Sequence, residues 1–342
     1  MIRLINFFRG NSRSGCHTKA THFVKHVLIT GGAGFIGSHL VERLLADGER
    51  VVVIDDFSTG NPVNLSAVAQ NPQFRCVQSK VSTCAELPEL VAAASYIFHL
   101  AAAVGVELVV QSPLRTIETN LHESEVILAA AAQHRVPVLF ASTSEVYGKS
   151  AKPTFREDDD LLIGPPTLGR WSYACSKLMD EFLALAYWRE RELPVTIVRL
   201  FNTVGPRQTG RFGMVLPRFV EAAKAGRPLR VYGDGQQTRC FCHVFDTVTA
   251  LVHLQHCSAA RGEVVNVGGE CEITVLDLAA EVIRLLGSIS TVERVPYEAA
   301  YAPGFEDMRR RRPDVGKLRR FTGFIPARGL PEMIQNVAAG FV

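Results

Sequence analysis

From position 26 the chain alternates short, unbroken apolar runs with longer stretches in which apolar residues return every three or four positions. The runs His26-Val27-Leu28-Ile29-Thr30 and Val51-Val52-Val53-Ile54-Asp55 show no polar alternation, as strands covered on both faces of a parallel sheet require. The same pattern predicts strands over 74–77, 96–100, 136–141 and 195–200, with helices over 35–47, 113–135 and 172–191 between them. Repeated strand, helix, strand units give an α/β fold, a doubly wound parallel sheet with right-handed crossovers. After residue 201 the rhythm loosens at Gly205-Pro206, Gly226-Arg227-Pro228 and Gly233-Asp234-Gly235, which marks a smaller mixed C-terminal domain. Helices are predicted there over 213–225, 274–286 and 331–341, the second opened by Thr274 with Asp277 three residues on.

Composition narrows the class. A chain of 342 residues, 47% hydrophobic and 21% charged, is long enough for a full core and exceeds one small module. With 37 Lys and Arg against 34 Asp and Glu, no broad basic field points to nucleic acid. Residues 1–25 nevertheless hold five basic residues and no acid, so the remainder is mildly acidic. This basic tail reads as a disordered arm or an over-long start; a transit peptide and a membrane contact are the lesser alternatives. No stretch reaches the ~20 apolar residues of a membrane span. Eight scattered cysteines without a CxxC pair fit a reduced, cytoplasmic setting. Cys240, Cys242 and His243 look metal-like, but strand alternation sends His243 to the opposite face and no second cluster completes a four-ligand set, so no metal is expected.

Three motifs carry chemistry. The loop from Thr30 to Gly37 joins the first strand to the first helix, where glycines permit a tight turn and close approach of backbone N–H groups to a pyrophosphate. It reads two ways: Gly32, Gly34 and Gly37 spell GxGxxG, and Gly31, Gly34 and Gly37 spell GxxGxxG. Asp55 ends the second strand 18 residues after Gly37, near the position of an acid that binds the adenosine ribose, and such an acid favours NAD over NADP. Tyr173 and Lys177 lie four apart on a predicted helix, so the ammonium is expected to stabilise phenolate and lower the Tyr173 pKa. Ser142, Thr143, Ser144 and Glu145 close a strand at the sheet edge where open α/β folds bind ligands.

Together with Asp55 to Gly60, His99-Leu100-Ala101-Ala102 and Phe201 to Arg207, these motifs resemble the extended short-chain dehydrogenase/reductase family that modifies nucleotide sugars. The resemblance runs from about His26 to the C-terminal helix. It implies a NAD-binding domain over 26–201 with return segments around 240–268, and a mainly nucleotide-sugar-binding domain over 202–342. It implies that NAD meets Gly31, Gly34, Phe35, Ile36 and Gly37 on the loop, then Asp55, Asp56 and Ser58. Leu100, Ala101 and Ala102 follow, with Tyr173 and Lys177 at the reacting end. Thr143, Tyr173 and Lys177 would be the catalytic trio, joined by Ser144, Glu145 and Arg239, while Asn202, Arg239, Arg311 and Asp314 would lie near the diphosphate. One departure is Ser79-Lys80, where family members often carry Gly-Asp for adenine.

Within the family, Ser144-Glu145 argues against a simple 4-epimerase and against a dTDP-glucose dehydratase. Gly164-Pro165-Pro166, Arg170-Trp171-Ser172-Tyr173, Gln237 to Phe241 and Gly304 to Asp307 are similar to UDP-glucuronate decarboxylases. The implied reaction passes through a 4-keto sugar to UDP-xylose or the UDP-4-keto-pentose, with Glu145 repelling the sugar carboxylate or relaying a proton. A UDP-sugar 4-epimerase is the alternative, and a non-catalytic NAD-binding scaffold the remote one. A homodimer is also implied, built from helices 113–135 and 172–191 with Ile127, Leu128, Phe182 and Leu185.

Overall fold

The computed structural model describes residues 25–103, 112–210, 214–297 and 308–340. The basic segment over 1–24, Gly213, residues 304–307 and Phe341 lie outside the described residues. The first half runs β1 (His26–Thr30), α1 (Phe35–Ala46), β2 (Val51–Asp55), β3 (Phe74–Gln78), α2 (Leu87–Ala93), β4 (Ala94–His99), α3 (Pro113–His134), β5 (Val138–Thr143), α4 (Ser172–Arg191) and β6 (Val195–Leu200). Then follow β7 (Thr203–Val204), α5 (Val215–Lys224), β8 (Leu229–Tyr232), β9 (Thr238–Cys240), β10 (Cys242–His243) and α6 (Val244–Gln255). The chain closes with β11 (Glu263–Val267), β12 (Glu272–Thr274), α7 (Val275–Leu286), β13 (Val292–Val295), α8 (Gly316–Thr322) and α9 (Leu330–Ala339).

Seven strands form one sheet in the order β11-β6-β5-β4-β1-β2-β3, every neighbouring pair parallel. β1 and β2 are buried throughout, whereas β3 at the edge is only half-buried, which is where its mixed sequence comes from. One face packs Leu40, Val41 and Leu44 of α1 with Val248 and Leu251 of α6; the other packs Leu90 of α2, Ile127 and Leu128 of α3 and Ala184 of α4. A separate core under α5, α7 and α9 holds the smaller unit together through Leu216, Phe219, Leu278 and Ile334.

Two boundaries differ from the sequence pattern for identifiable reasons. β5 starts at Val138 because Pro137 has no N–H to give the ladder, and it runs on to Thr143 because Ser142 and Thr143 pair with Arg199 and Leu200 of β6. Ile127 and Leu128, which the resemblance placed in a helix-helix interface between subunits, are fully buried on the sheet side of α3. The exposed apolar side chains of this helix pair are Leu114, Met179 and Phe182.

Thr274 opens α7: its Oγ1 accepts from the backbone N–H of Asp277 and donates to Asp277 Oδ2 at 2.7 Å. Thr274→Ala should therefore cost about 1 kcal/mol, read as a lower urea midpoint with an unchanged denaturant slope.

Candidate functional site

Because all seven strands are parallel, their C-terminal ends and the following loops meet on one edge of the sheet, and a cleft of about 570 Å³ opens there. Every residue that the resemblance assigns to cofactor, catalysis or substrate lines this cleft except Asp314. Asp314 stands apart, accepting the backbone N–H of Gly316 at 2.7 Å at the start of α8 and facing Arg156. Its neighbourhood in the chain is right and its direction is not, since Phe155 binds the Asp314 backbone and turns the strap that carries Arg311.

At one end, the glycine loop meets α1. Gly31 has φ +75°, and a Cβ there would lie 2.7 Å from the Ala101 backbone nitrogen; a Cβ on Gly37 would lie 2.2 Å from the Gly31 carbonyl oxygen. Gly32 instead packs against Val53 of β2 and does not line the cleft, whereas Gly31, Gly34 and Gly37, the glycines of the GxxGxxG spacing, do. Gly34 starts α1 with no side-chain cap, leaving the helix N-terminus turned into the cleft, where it could hold a dinucleotide pyrophosphate. Asp55 accepts the Ala33 N–H through Oδ2 and the Phe57 N–H through Oδ1, both at 2.8 Å, so one carboxylate ties the loop to the β2 terminus. Each oxygen keeps a lone pair for a ribose hydroxyl. Burial raises the Asp55 pKa and the two N–H groups oppose it. Ser79 and Lys80 line the same end, with Ser79 N–H donating to the Asp55 carbonyl.

In the middle, β5 delivers Thr143 and Ser144, and α4 delivers Tyr173 and Lys177 on one inward face. The two elements are locked by buried Glu181, which accepts from Ser142 Oγ at 2.5 Å and binds Arg199 of β6 through 2.8 and 3.0 Å contacts. On the other side, Asn120 of α3 accepts the Ala103 N–H and donates to Ser176 of α4, fixing the Leu100 to Ala102 loop beside Tyr173. His99 gives its Nδ1 to the Thr30 hydroxyl at 2.8 Å; burial and the Lys177 charge hold its pKa near 3, so it stays neutral.

The expected lowering of the Tyr173 pKa is not found. Burial and then the charge of Glu145 push the phenol above its ordinary value, and the hydrogen bond with Thr143 does not compensate. Lys177 is directed elsewhere, to Asp180 at 2.9 Å.

At the sugar end, a short 3-10 turn over Gly169–Trp171 buries Trp171 and stacks Arg170 on its ring at 4.7 Å. That geometry aims Arg170 Nη1 at Glu145 Oε2, 2.7 Å away, while Arg311 binds Oε1. Arg239 is anchored by the Thr238 and Met308 carbonyls. Burial pushes the Glu145 carboxyl up, but Arg311, Arg170 and Arg239 outweigh it and bring it down to about 2. Glu145 is thus a carboxylate paired with Arg170 and Arg311, whereas the sequence reading gave it a charge to repel the sugar carboxylate or a proton to relay. Asn202 donates to the Cys240 carbonyl at the cleft floor.

Sequence reasoning missed Arg170, although its segment had been singled out, and Asp180, Glu181, Arg199 and Asn120. The i, i+3 spacing of Lys177 and Asp180 was a usable signal; the Glu181–Arg199 pair joins a helix to a strand and had none. His243 accepts the Phe245 N–H as the cap of α6, while burial pushes the Cys240 and Cys242 thiols up to about 12. Among the described residues no group of His, Cys, Asp or Glu is placed to hold a metal, and no helix is long and apolar enough to cross a membrane.

Residues 27–268 match the model of the NAD dependent epimerase/dehydratase family. The chain is 42% identical over 316 residues to a UDP-N-acetyl-alpha-D-glucosaminuronate decarboxylase of Bacillus cytotoxicus, covering 91% of this chain and 97% of the relative. It is 34% identical to UDP-glucuronic acid decarboxylase 1 of Arabidopsis thaliana over 91% of this chain and 69% of that one. The structure is similar to UDP-glucuronic acid 4-epimerase from Bacillus cereus, solved with UDP-glucuronic acid and NAD, at a TM-score of 0.82 and 27% identity over 93% and 98% of the two chains.

With Asp55 at the ribose end, NAD should bind more tightly than NADP in calorimetry, because a 2′-phosphate would meet a buried carboxylate. Asp55→Ala should narrow the gap. Equal affinities in the unaltered protein would contradict the assignment.

Proposed function

This chain belongs to the NAD dependent epimerase/dehydratase family, and within it we propose that the chain is a decarboxylase of a UDP-hexuronic acid, acting through a 4-keto sugar. UDP-glucuronate or its 2-acetamido counterpart is the substrate class, in keeping with the relatives at 34% and 42% identity. The observation that carries this reading is the arginine cluster around Glu145: Arg170, Arg239 and Arg311 converge beside Tyr173, where a sugar with its own carboxylate would rest.

The cradle fits the cofactor: the uncapped α1 N-terminus and Gly31, Gly34 and Gly37 would hold the pyrophosphate, and Asp55 the adenosine ribose. Bound NAD supplies the acceptor, and later the donor, of the C4 hydrogen, so that the sugar is carried as a ketone in between. Tyr173 takes the C4 hydroxyl proton, with Thr143 hydrogen-bonded to its phenol. A ketone at C4 is β to the C6 carboxylate. Cleavage of C5–C6 then releases CO2 and leaves its electron pair in an enolate, which the Thr143 hydroxyl stabilises; C5 takes a proton from solvent, and return of the C4 hydrogen together with the proton held by Tyr173 restores the C4 hydroxyl. Arg311 and Arg239 orient the substrate, and ionised Glu145 holds Arg170 and Arg311 in place.

Purified protein with NAD and either UDP-hexuronate should yield CO2 and a product lighter by its mass. An unchanged mass with a new sugar would select the 4-epimerase instead. Tyr173→Phe keeps the ring and removes the hydroxyl, so turnover should fall by orders of magnitude, each factor of ten being ~1.4 kcal/mol of barrier. Glu145→Gln releases the arginines, so CO2 release should slow far more than NAD affinity changes. Full decarboxylation by Glu145→Gln would remove Glu145 from the site.

We also propose that two copies associate through α3 and α4. Leu114, Met179 and Phe182 are the large apolar side chains that this helix pair turns to solvent, 68%, 52% and 62% exposed. Light scattering should report a dimer, and Phe182→Glu should convert it to monomer; a monomer at micromolar concentration in the unaltered protein would refute the surface.

A further inference from the structure

Helix α4 carries a buried acid that the reaction above leaves unused. Asp180 lies three residues after Lys177, its side chain is 0% exposed, and its Oδ2 accepts from Lys177 Nζ at 2.9 Å. The ammonium sits 4.4 Å over the Phe140 ring, on the sheet side of the helix. Asp180 Oδ1 has no hydrogen-bond partner, and Ser124 Oγ of α3 approaches it without hydrogen-bond geometry. A fully buried carboxylate with one oxygen unsatisfied is held chiefly by its single cation, and it holds that cation in return.

We propose that Asp180 is a positioning residue for proton abstraction: it draws the Lys177 ammonium away from Tyr173 and so sets the base strength of the phenol. This rests on the assignment of Tyr173 as the base.

The surroundings leave this task to the Lys177–Asp180 pair. On α4 itself, Glu181 is bound to Arg199 of β6 and to Ser142 of β5. From β4, His99 is neutral and hydrogen-bonded to Thr30. From α3, Glu123 accepts from both the N–H and the hydroxyl of Ser82. From the turn after β5, Glu145 is held by Arg170 and Arg311. Burial raises the Tyr173 pKa most; the charges of Glu145 and Asp180 add to it, with the Thr143 hydroxyl opposing them. An ammonium has three N–H donors on a flexible stem, so it can turn from Asp180 towards the phenol as phenolate forms. Asp180 competes for it at every stage, and its negative charge also disfavours phenolate directly.

The test is the titration of Tyr173 in the NAD complex, followed by carbon NMR of ring-labelled tyrosine with Tyr173→Phe to assign the signal. It is paired with the pH profile of kcat/KM for CO2 release. Asp180→Asn keeps the side-chain shape and removes the charge. It should move the Tyr173 titration and the acid limb of the rate profile together to lower pH by about one unit, a roughly tenfold gain below the limb. Asp180→Ser, smaller and still polar, should move both in the same direction and serves if the first variant does not fold. A Tyr173 titration that stays in place or rises would overturn the proposal, leaving Asp180 as a structural counter-ion. If the unaltered enzyme releases no CO2, the decarboxylase reading falls, and the NMR titration still decides the role of Asp180.

Discussion

The organising constraint is that all seven strands of the main sheet run in one direction. Each parallel pair needs a crossover, and every crossover returns the chain so that strand ends and helix starts collect on the same edge. β1 ends at the glycine loop, β2 at Asp55, β4 beside Leu100 and β5 at Thr143. The order β3-β2-β1-β4 reverses the direction of winding between β1 and β4, and the cleft opens over that point. The cleft is therefore a consequence of topology, and the glycines at its rim remove side chains that would otherwise fill it.

The reacting centre depends on α4, whose inward face carries Tyr173, Lys177, Asp180, Glu181 and Ala184 at successive turns. Four of those five are polar, and burying them is expensive unless each finds a partner. Glu181 does so through Arg199 and Ser142, Lys177 through Asp180, and Ser176 through Asn120. The result is a helix held to β5, β6 and α3 by directional bonds rather than by apolar packing alone. Removing one partner would leave a charge or donor stranded, so the face acts as a unit.

The electrostatics of the cleft divide along the same line. The α1 N-terminus offers partial positive charge to a pyrophosphate, whereas the far end concentrates Arg170, Arg239 and Arg311 about one carboxylate. Between them the phenol is buried, and this desolvation, with the charges of Glu145 and Asp180 added to it, resists its deprotonation. The run Arg309 to Arg312, which as a string looks like a basic patch, is divided among separate acids: Arg309 meets Asp234, Arg310 meets Glu272 and Arg311 meets Glu145. It straps the smaller unit to the sheet edge.

Periodicity and local chemistry were enough to determine the parallel sheet, its helices, the glycine cradle, the acid after β2 and the Tyr173/Lys177 spacing, because each depends on neighbours within one or two elements. α4 spans Ser172–Arg191, as its apolar spacing predicts. Which glycines face the cleft was decided only when Val53 of β2 closed over Gly32. The direction of Lys177, the compensation of Glu145 and the outward turn of Asp314 were likewise tertiary outcomes. So was the burial of Ile127 and Leu128 against the sheet. A charged side chain goes to whichever opposite charge the folded chain brings within reach, and Glu145 meets Arg170 and Arg311 from 25 and 166 residues away. No local pattern encodes that choice, because the pairing exists only once β5, the turn before α4 and the strap around Arg311 have been packed together.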